Sequence, residues 1–388
     1  MAGSSIQPFG RSKDGRTWRD RAFLAASAAL SDAAVSPGDI DALVIATESD
    51  LVSLQVNPAP VVSSDLGLPH LPCVRVEGGG ASGALAVRSG VHHILSGLYR
   101  SVLVVGFDDA ASHLDRSGVS LVYGLSFDAE VEGFLGATAA ALYALSAQAH
   151  MARHGVNERH LATVAVKNRA NAVANPNAHL PMISTVEDVL ASAVVAPPLK
   201  RLDCSPLSDG AAALVLSRER NMPRQSERVP VRIVASASAS DWARLGDRDD
   251  IGRFAGKSRA AAAAYSQAGI MNPSSEIDVA EVYDAFTSAE VQGIEALGLA
   301  PEGRGARQIV DGVHDRDGRL PVNLSGGLLG QGGSPGAVGV AQVATIARLL
   351  QGRYHGGLQP TLRLRRGLAE AHGGIATLNC VHVLENDE

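Results

Sequence analysis

The sequence predicts an α/β protein made of two similar halves, each with a mostly parallel sheet covered by helices on both faces. Two observations carry this. Short apolar runs alternate with Ala-rich helical stretches, the order that parallel strands joined by crossover helices require. The same order then occurs twice with near-constant spacing. Arg19-Asp20-Arg21 opens an Ala-rich helix reaching about Ala34, and Lys257-Ser258-Arg259, 238 residues after Arg19, opens one reaching about Gly269. Asp39-Ile40-Asp41 precedes a strand at 42–46, and Glu276-Ile277-Asp278, 237 residues after Asp39, precedes a strand at 279–282. Gly80-Ala81-Ser82-Gly83-Ala84 and Gly333-Ser334-Pro335-Gly336-Ala337, 253 residues apart, each run into a helix (84–96 and 337–350) and then a strand (101–105 and 374–378).

These repeats divide the chain into residues 1–221 and 230–388, joined by a polar, aperiodic linker at 222–229. The first half holds extra material between about His113 and Pro197. A segment of that size needs helices of its own, and a long Ala-rich one is predicted near 136–154. The polar run Lys167-Asn168-Arg169-Ala170-Asn171 follows it.

Composition sets the limits of function. The 388 residues suffice for two domains and a large core. Hydrophobic residues make up 46% but aromatics only 4%, so the core is aliphatic, with close helix contacts through Ala and Gly. A net charge of −6 without a basic stripe argues against nucleic acid as a partner. Cys73, Cys204 and Cys380 form neither a disulfide framework nor a zinc spacing and suit a reducing compartment. Met1-Ala2-Gly3-Ser4-Ser5 lacks the layout of a signal peptide, and no apolar run nears the roughly 20 residues of a membrane helix, so a cytoplasmic place is expected. His92-His93 read as helix-packing or surface residues; His150, His154 and His160 show no metal spacing with carboxylates, and no metal is expected. The glycine runs at 78–83 and 326–333 match neither a P-loop nor a dinucleotide fingerprint.

Several segments together resemble the thiolase superfamily, in particular its sterol-carrier-protein or lipid-transfer-protein type. Val76-Glu77-Gly78-Gly79-Gly80-Ala81-Ser82-Gly83 is similar to the family's nucleophile loop, with Gly80 where the family carries its Cys. Ser208-Asp209-Gly210-Ala211-Ala212 resembles the segment closing the family's first half, and Tyr283-Asp284-Ala285-Phe286 stands where relatives carry Asn-Glu-Ala-Phe or His-Asp-Cys-Phe. Asn323-Leu324-Ser325-Gly326-Gly327 and the stretch through Gly336-Ala337-Val338-Gly339 follow the family's glycine-rich motifs, with Gly333 and Ser334 in place of His and Pro. His372-Gly373-Gly374 and Asn379-Cys380-Val381-His382 lie near the closing Cys-x-Gly.

The resemblance implies a five-layered α/β/α/β/α sandwich of two pseudo-symmetric halves with an inserted loop domain. It implies an acyl thioester of coenzyme A or a carrier protein as substrate, with no tightly bound cofactor. Partners implied are a second thiolase-like chain, as homodimer or heterodimer, and a small OB-fold and zinc-ribbon protein. Substrate contacts fall on Gly80, Ser82, Asn323, Gly327, Gly333 and Ser334, and candidate catalytic groups are Tyr283, His372 and Cys380. A thioester intermediate needs a thiolate; with Gly at 80 and 333, condensation through an acyl-enzyme is not expected. Cys73 lies seven residues before Gly80 at a strand end and reads as a small buried hydrophobe. The two glycine turns open helices whose N-termini favour negative charge, an arrangement suited to an enolate. Tyr283 reads either as a hydrogen-bond donor to a carbonyl or as a core tyrosine, His372 as a loop histidine, and Cys380 as an acid/base or a buried strand cysteine. Three functions stay open: an aldolase-type lyase acting beside a thioester, a non-catalytic partner of an active condensing subunit, and an acyltransferase working by direct transfer. The lyase reading borrows from relatives that carry a second Tyr near Gly333, which this chain lacks.

Overall fold

The computed structural model describes residues 1–218 and 228–386. Most of the expected linker at 222–229 therefore lies outside the described residues. In chain order the strands are β1 (Gly3–Ile6), β2 (Ala42–Ala46), β3 (Cys73–Val76), β4 (Ser101–Asp108), the short pair β5 (Val194–Ala196) and β6 (Leu199–Lys200), and β7 (Gly210–Ser217). The second half contributes β8 (Val231–Ser240), β9 (Val279–Glu281), β10 (Arg366–Gly373) and β11 (Leu378–Asn386). One sheet has the order β1-β7-β4-β2-β3, the other β8-β11-β10-β9.

The sheets are mixed rather than mostly parallel. β3, β2 and β4 run parallel, but β7 and β1 are antiparallel to their neighbours, and in the second sheet only β9 and β10 are parallel. Of the expected strand at 374–378, residues 374–377 are instead the turn between β10 and β11, and Leu378 begins β11. A connection that short permits only an antiparallel pair.

Strand alternation separates three cores. Leu43, Ile45, Leu103 and Val105 face outward onto the helix Trp18–Ala33, which buries Ala22, Ala25, Ala26, Ala29 and Ala33 at helical spacing. Val44, Val102 and Val104 face inward onto the helices Ser82–Leu95 and Pro335–Leu350, whose other side meets Val279, Ala369 and Leu384 of the second sheet. The far face of that sheet, with Leu368, Val381 and Val383, packs on an outer layer including Ala255–Ala268 and Thr287–Ala296. The layers read helix, sheet, helix, sheet, helix. Pro335–Leu350 buries every residue except Arg348, as a helix apolar on all sides must.

The two central helices touch backbone to backbone. A Cβ added at Gly83 would come within 2.7 Å of Gly336 O and 2.9 Å of Gly339 N. One at Gly336 would meet Phe107 O at 2.6 Å and Ala46 O at 2.9 Å. Between residues 113 and 197 lie the helices Arg116–Gly124, Ala139–His154, Glu158–Val173 and Val186–Ala191, of which the first two supply one wall of the central cavity.

Backbone atoms cannot rotate away from a new methyl group. Gly83→Ala should therefore lose about 1–3 kcal/mol to overpacking, more than the 0.5–1 kcal/mol that helix propensity returns. Gly356→Ala, where an added Cβ meets nothing within 4 Å, should stay near wild type. Denaturant melts of the two variants decide this.

Candidate active site

A cavity of about 380 Å³ opens where β2, β3 and β4 end and the two central helices begin. Active sites of open α/β sheets favour this edge. Gly80 and Gly333 both line it, so the two pseudo-symmetric turns do converge. Around them stand Glu48, Tyr123, Tyr143, Tyr283, Phe286 and His372.

Tyr283 follows β9 and takes the space that a side chain at residue 80 would need. A Cβ on Gly80 would lie 2.5 Å from the Tyr283 hydroxyl oxygen and 2.8 Å from Cζ, and closer still to the His372 carbonyl oxygen. The loop carrying Gly80 rests on β10 just as tightly, since a Cβ on Gly373 would meet Gly78 C at 3.2 Å and Gly80 N at 3.4 Å. Gly333 is different: its nearest neighbours to an added Cβ are Pro206 O at 3.2 Å and Ser205 Oγ at 3.5 Å. Burial, with Glu48 and Tyr143 nearby, pushes the Tyr283 phenol well above its ordinary value. It is a hydrogen-bond donor at neutral pH, not a base.

His372 lies in the buried strand β10, not in a loop. Lys257 and Glu370, both fully buried, pair at 2.9 Å beneath it. Lys257 Nζ is 3.0 Å from His372 Nδ1, Tyr143 Oη is 2.7 Å from Nε2, and Tyr143 donates to Gly374 O at 2.9 Å. Glu370 Oε1 also reaches Nδ1, at 3.1 Å, so that nitrogen faces both the ammonium and the carboxylate. Burial, reinforced by Lys257, lowers His372 to about 4, so the ring is neutral. Burial works to raise Glu370, but Lys257 and His372 outweigh it and hold the carboxyl at about 2. Glu370 also accepts from the Tyr283 backbone N–H at 3.1 Å, which ties the charge pair to the phenol's position.

The remaining sequence candidates are used by the protein itself. Ser82 donates to Gly79 O at 2.7 Å and accepts from Gly78 N–H at 2.9 Å. Asn323 accepts from Val282 N–H at 2.8 Å and donates to Glu290 at 2.7 Å, and it is fully buried outside the cavity lining. Gly327 sits against the Asp284 carboxylate, which takes the Leu328 N–H at 2.6 Å. Ser334 begins the helix Pro335–Leu350, is fully buried and is not among the cavity-lining residues. Cys380 is fully buried in β11 and likewise outside the lining; burial pushes its thiol up to about 12. Cys204 does line the cavity, but burial raises it too, to about 12, and its thiol donates to Lys200 O at 3.3 Å.

The second helix terminus is less open than its glycine turn suggests. Gly336 N–H donates to the Asp108 carboxylate, Gly333 N–H to Pro206 O at 2.9 Å, and Ala337 and Val338 N–H to Ser334 O. The fold thus answers these donors internally.

Sequence reasoning passed over Glu48, Tyr123, Tyr143 and the Lys257–Glu370 pair. Glu48 had a signal, an acid two residues past five buried strand residues at a parallel strand's C-terminal end. Glu370 had one too, a charge inside an apolar strand. Tyr123 and Tyr143 lie on inserted helices with no motif around them.

Among the described residues, one group of possible metal ligands gathers outside the cavity. His150, His154 and Glu295 place ligand atoms within 4.8 Å of one another, a grouping hidden by the 140 residues of chain between His154 and Glu295. His150 Nε2 bonds Glu295 at 2.8 Å and Arg253 pairs with Glu302 beside them, so the cluster balances its own charges. No helix among the described residues is long and apolar enough to cross a membrane.

Residues 4–220 match the family described as Thiolase, N-terminal domain, and residues 237–386 match Thiolase C-terminal domain-like. The chain belongs to the thiolase superfamily. It is 36% identical over 378 residues to the acetyl-CoA acetyltransferase of Methanothermobacter thermautotrophicus, covering 96% of this chain and 97% of that protein. It is 31% identical over 355 residues to the benzoylsuccinyl-CoA thiolase subunit BbsB of Thauera aromatica, covering 90% of each. The sterol carrier protein 2 of Oryctolagus cuniculus is 28% identical, covering 88% of this chain and 63% of that protein. Among solved structures, the Ltp2-ChsH2(DUF35) aldolase superposes with a TM-score of 0.83 at 29% identity, covering 100% of this chain and 97% of that one. This thiolase-superfamily chain is of the sterol-carrier-protein type.

Restoring the family's side chains should have unequal effects at the two turns. Gly80→Cys should lose about 1–3 kcal/mol and form no acyl adduct, because the thiol's Cβ has no room beside Tyr283. Gly333→His should keep its Tm within about 2 °C. Thermal melts, with intact-mass analysis after exposure to acetyl-CoA, test both.

Proposed function

We propose that this protein makes or breaks a C–C bond beside an acyl thioester without an acyl-enzyme, in the manner of an aldolase. The observation that carries the reading is the exchange at residue 80: the space of the family's thiol is filled by the Tyr283 phenol. Cys204 and Cys380 are held as thiols, so direct acyl transfer through a cysteine has little support. The likeness to a solved aldolase over the whole chain supports the same class, while relatives named acetyltransferase and thiolase subunit support the thioester of coenzyme A as substrate.

In cleavage of a β-hydroxyacyl thioester, the hydroxyl-bearing carbon becomes a carbonyl. The C–C electron pair passes to the thioester as an enolate. Tyr283 donates a hydrogen bond to the oxygen on which that charge collects. The neutral His372 and its Lys257–Glu370 support hold the phenol's surroundings dry and fixed. Tyr143, Phe286 and Phe127 give the cavity aromatic walls, suited to a bulky apolar acyl group. We take the protein to act in the cytosol, as a dimer of thiolase-like chains, beside a small OB-fold and zinc-ribbon partner. The alternative of a supporting subunit keeps one specific point in its favour, the whole-length similarity to a protein named as a thiolase subunit.

Tyr283→Phe should lower kcat for β-hydroxyacyl-CoA cleavage by about 10²-fold or more, with Tm retained, since losing one such donor costs about that much. Wild-type turnover in the variant would end the reading. An acyl adduct found on a copurifying thiolase-like chain, and none on this one, would favour the supporting subunit.

A further inference from the structure

Glu48 is an acid in the cavity that the mechanism above does not use. It lies two residues past the end of β2, on the same edge as Gly80 and Asp108. Its backbone N–H donates to Asp108 Oδ1 at 2.9 Å, and the Thr47 hydroxyl donates to the same oxygen at 2.8 Å. Gly336 N–H, at the start of a buried helix, donates to Oδ2. With three donors and a helix terminus on it, Asp108 is the member of this acidic pair that carries the charge, although burial raises it to about 6. The Glu48 side chain runs instead into the cavity, where Tyr123 and Tyr283 are its neighbours. It is only 7% exposed, and its Oε2 is buried without a hydrogen-bond partner. A packed apolar residue would fill that position without a desolvation penalty. A residue that lines a cavity and keeps a buried carboxyl oxygen unpaired indicates a group meant for what the cavity binds.

We propose that Glu48 is the acid/base group that carries the proton to and from the α-carbon of the bound acyl thioester. The assignment rests on the C–C bond reading above. The Glu48 carboxylate takes the proton of the β-hydroxyl, the β-carbon becomes a carbonyl, and the C–C electron pair moves into the thioester. The same proton then passes from Glu48 to the α-carbon. One proton moves from oxygen to carbon, and no oxidant or reductant is needed. Tyr283 stays protonated throughout as the donor to the enolate oxygen. Burial, then Asp108, then Glu77 make Glu48 hold its proton well above the usual carboxylate range, against a hydrogen bond from Tyr123 that lowers it. A carboxylate so raised is a stronger base than an ordinary one once ionised. Its ionised fraction grows with pH, so the rate of any step that needs it should rise with pH to a plateau.

The test separates this role from the bond-cleaving reading by measuring α-proton exchange, which needs the base but not C–C chemistry. The purified full-length protein is incubated with propionyl-CoA in D₂O across a pH series, alongside cleavage assays with β-hydroxyacyl-CoA compounds. Wild type should introduce deuterium at the α-carbon faster than buffer, with a rate rising with pH. Glu48→Gln should lower exchange by about 10²-fold or more and abolish the pH dependence, while Glu48→Asp restores part of it. The near-isosteric Gln should keep the Tm within about 2 °C, which separates loss of a proton carrier from loss of fold. Wild-type exchange in Glu48→Gln overturns the assignment whatever happens to cleavage, and so does absence of exchange in the wild type. Exchange that depends on Glu48, without cleavage of any β-hydroxyacyl-CoA, overturns the aldolase reading and supports Glu48.

Discussion

The backbone contact between the two central helices governs the rest of the structure. Gly83, Gly336 and Gly339 let Ser82–Leu95 and Pro335–Leu350 meet with no side chains between them. That approach lets one layer of helices serve both sheets. It also brings the Gly80 and Gly333 turns to one cavity, although 253 residues of chain separate them. Close packing of backbone tolerates no added atoms, so the site inherits its geometry from the core rather than from its loops.

Within that frame, Gly80 and Tyr283 are alternatives for one volume. A side chain at residue 80 and a phenol from residue 283 cannot both be present, because the hydroxyl oxygen lies 2.5 Å from where the Cβ would be. The absence of a thiol is thus coupled to the presence of a donor. Polar groups that look available in a motif are mostly committed elsewhere: the Asn323 amide to Val282 and Glu290, the helix terminus at Gly336 to Asp108.

Beside the cavity, charges are buried in two arrangements with different outcomes. Lys257 and Glu370 neutralise each other and fix a neutral His372 between them, a positioning device. Asp108 and Glu48 carry the same sign, so one keeps the charge under three donors and the other is driven toward its acid form. Like charges held close separate their pKa values, and separated values make acid/base partners.

The sequence by itself determined the layered α/β architecture, the doubled order of elements, and the residues where the family's thiol and histidine are missing. These are local facts: helical Ala spacing in Trp18–Ala33, alternation in β2 and β4, and glycines at fixed offsets. It did not determine strand direction in the second half, where the turn after His372 makes β10 and β11 antiparallel and places His372 in the core. Nor did it separate Tyr283, His372, Gly80 and Gly333, which line the cavity, from Ser82, Asn323, Gly327, Ser334 and Cys380, which do not. Whether a hydroxyl or amide faces a ligand depends on which donors and acceptors the folded chain has already paired. Those partners come from distant positions, as Glu48 meets Asp108 and Lys257 meets Glu370 only after the sheets and central helices have packed.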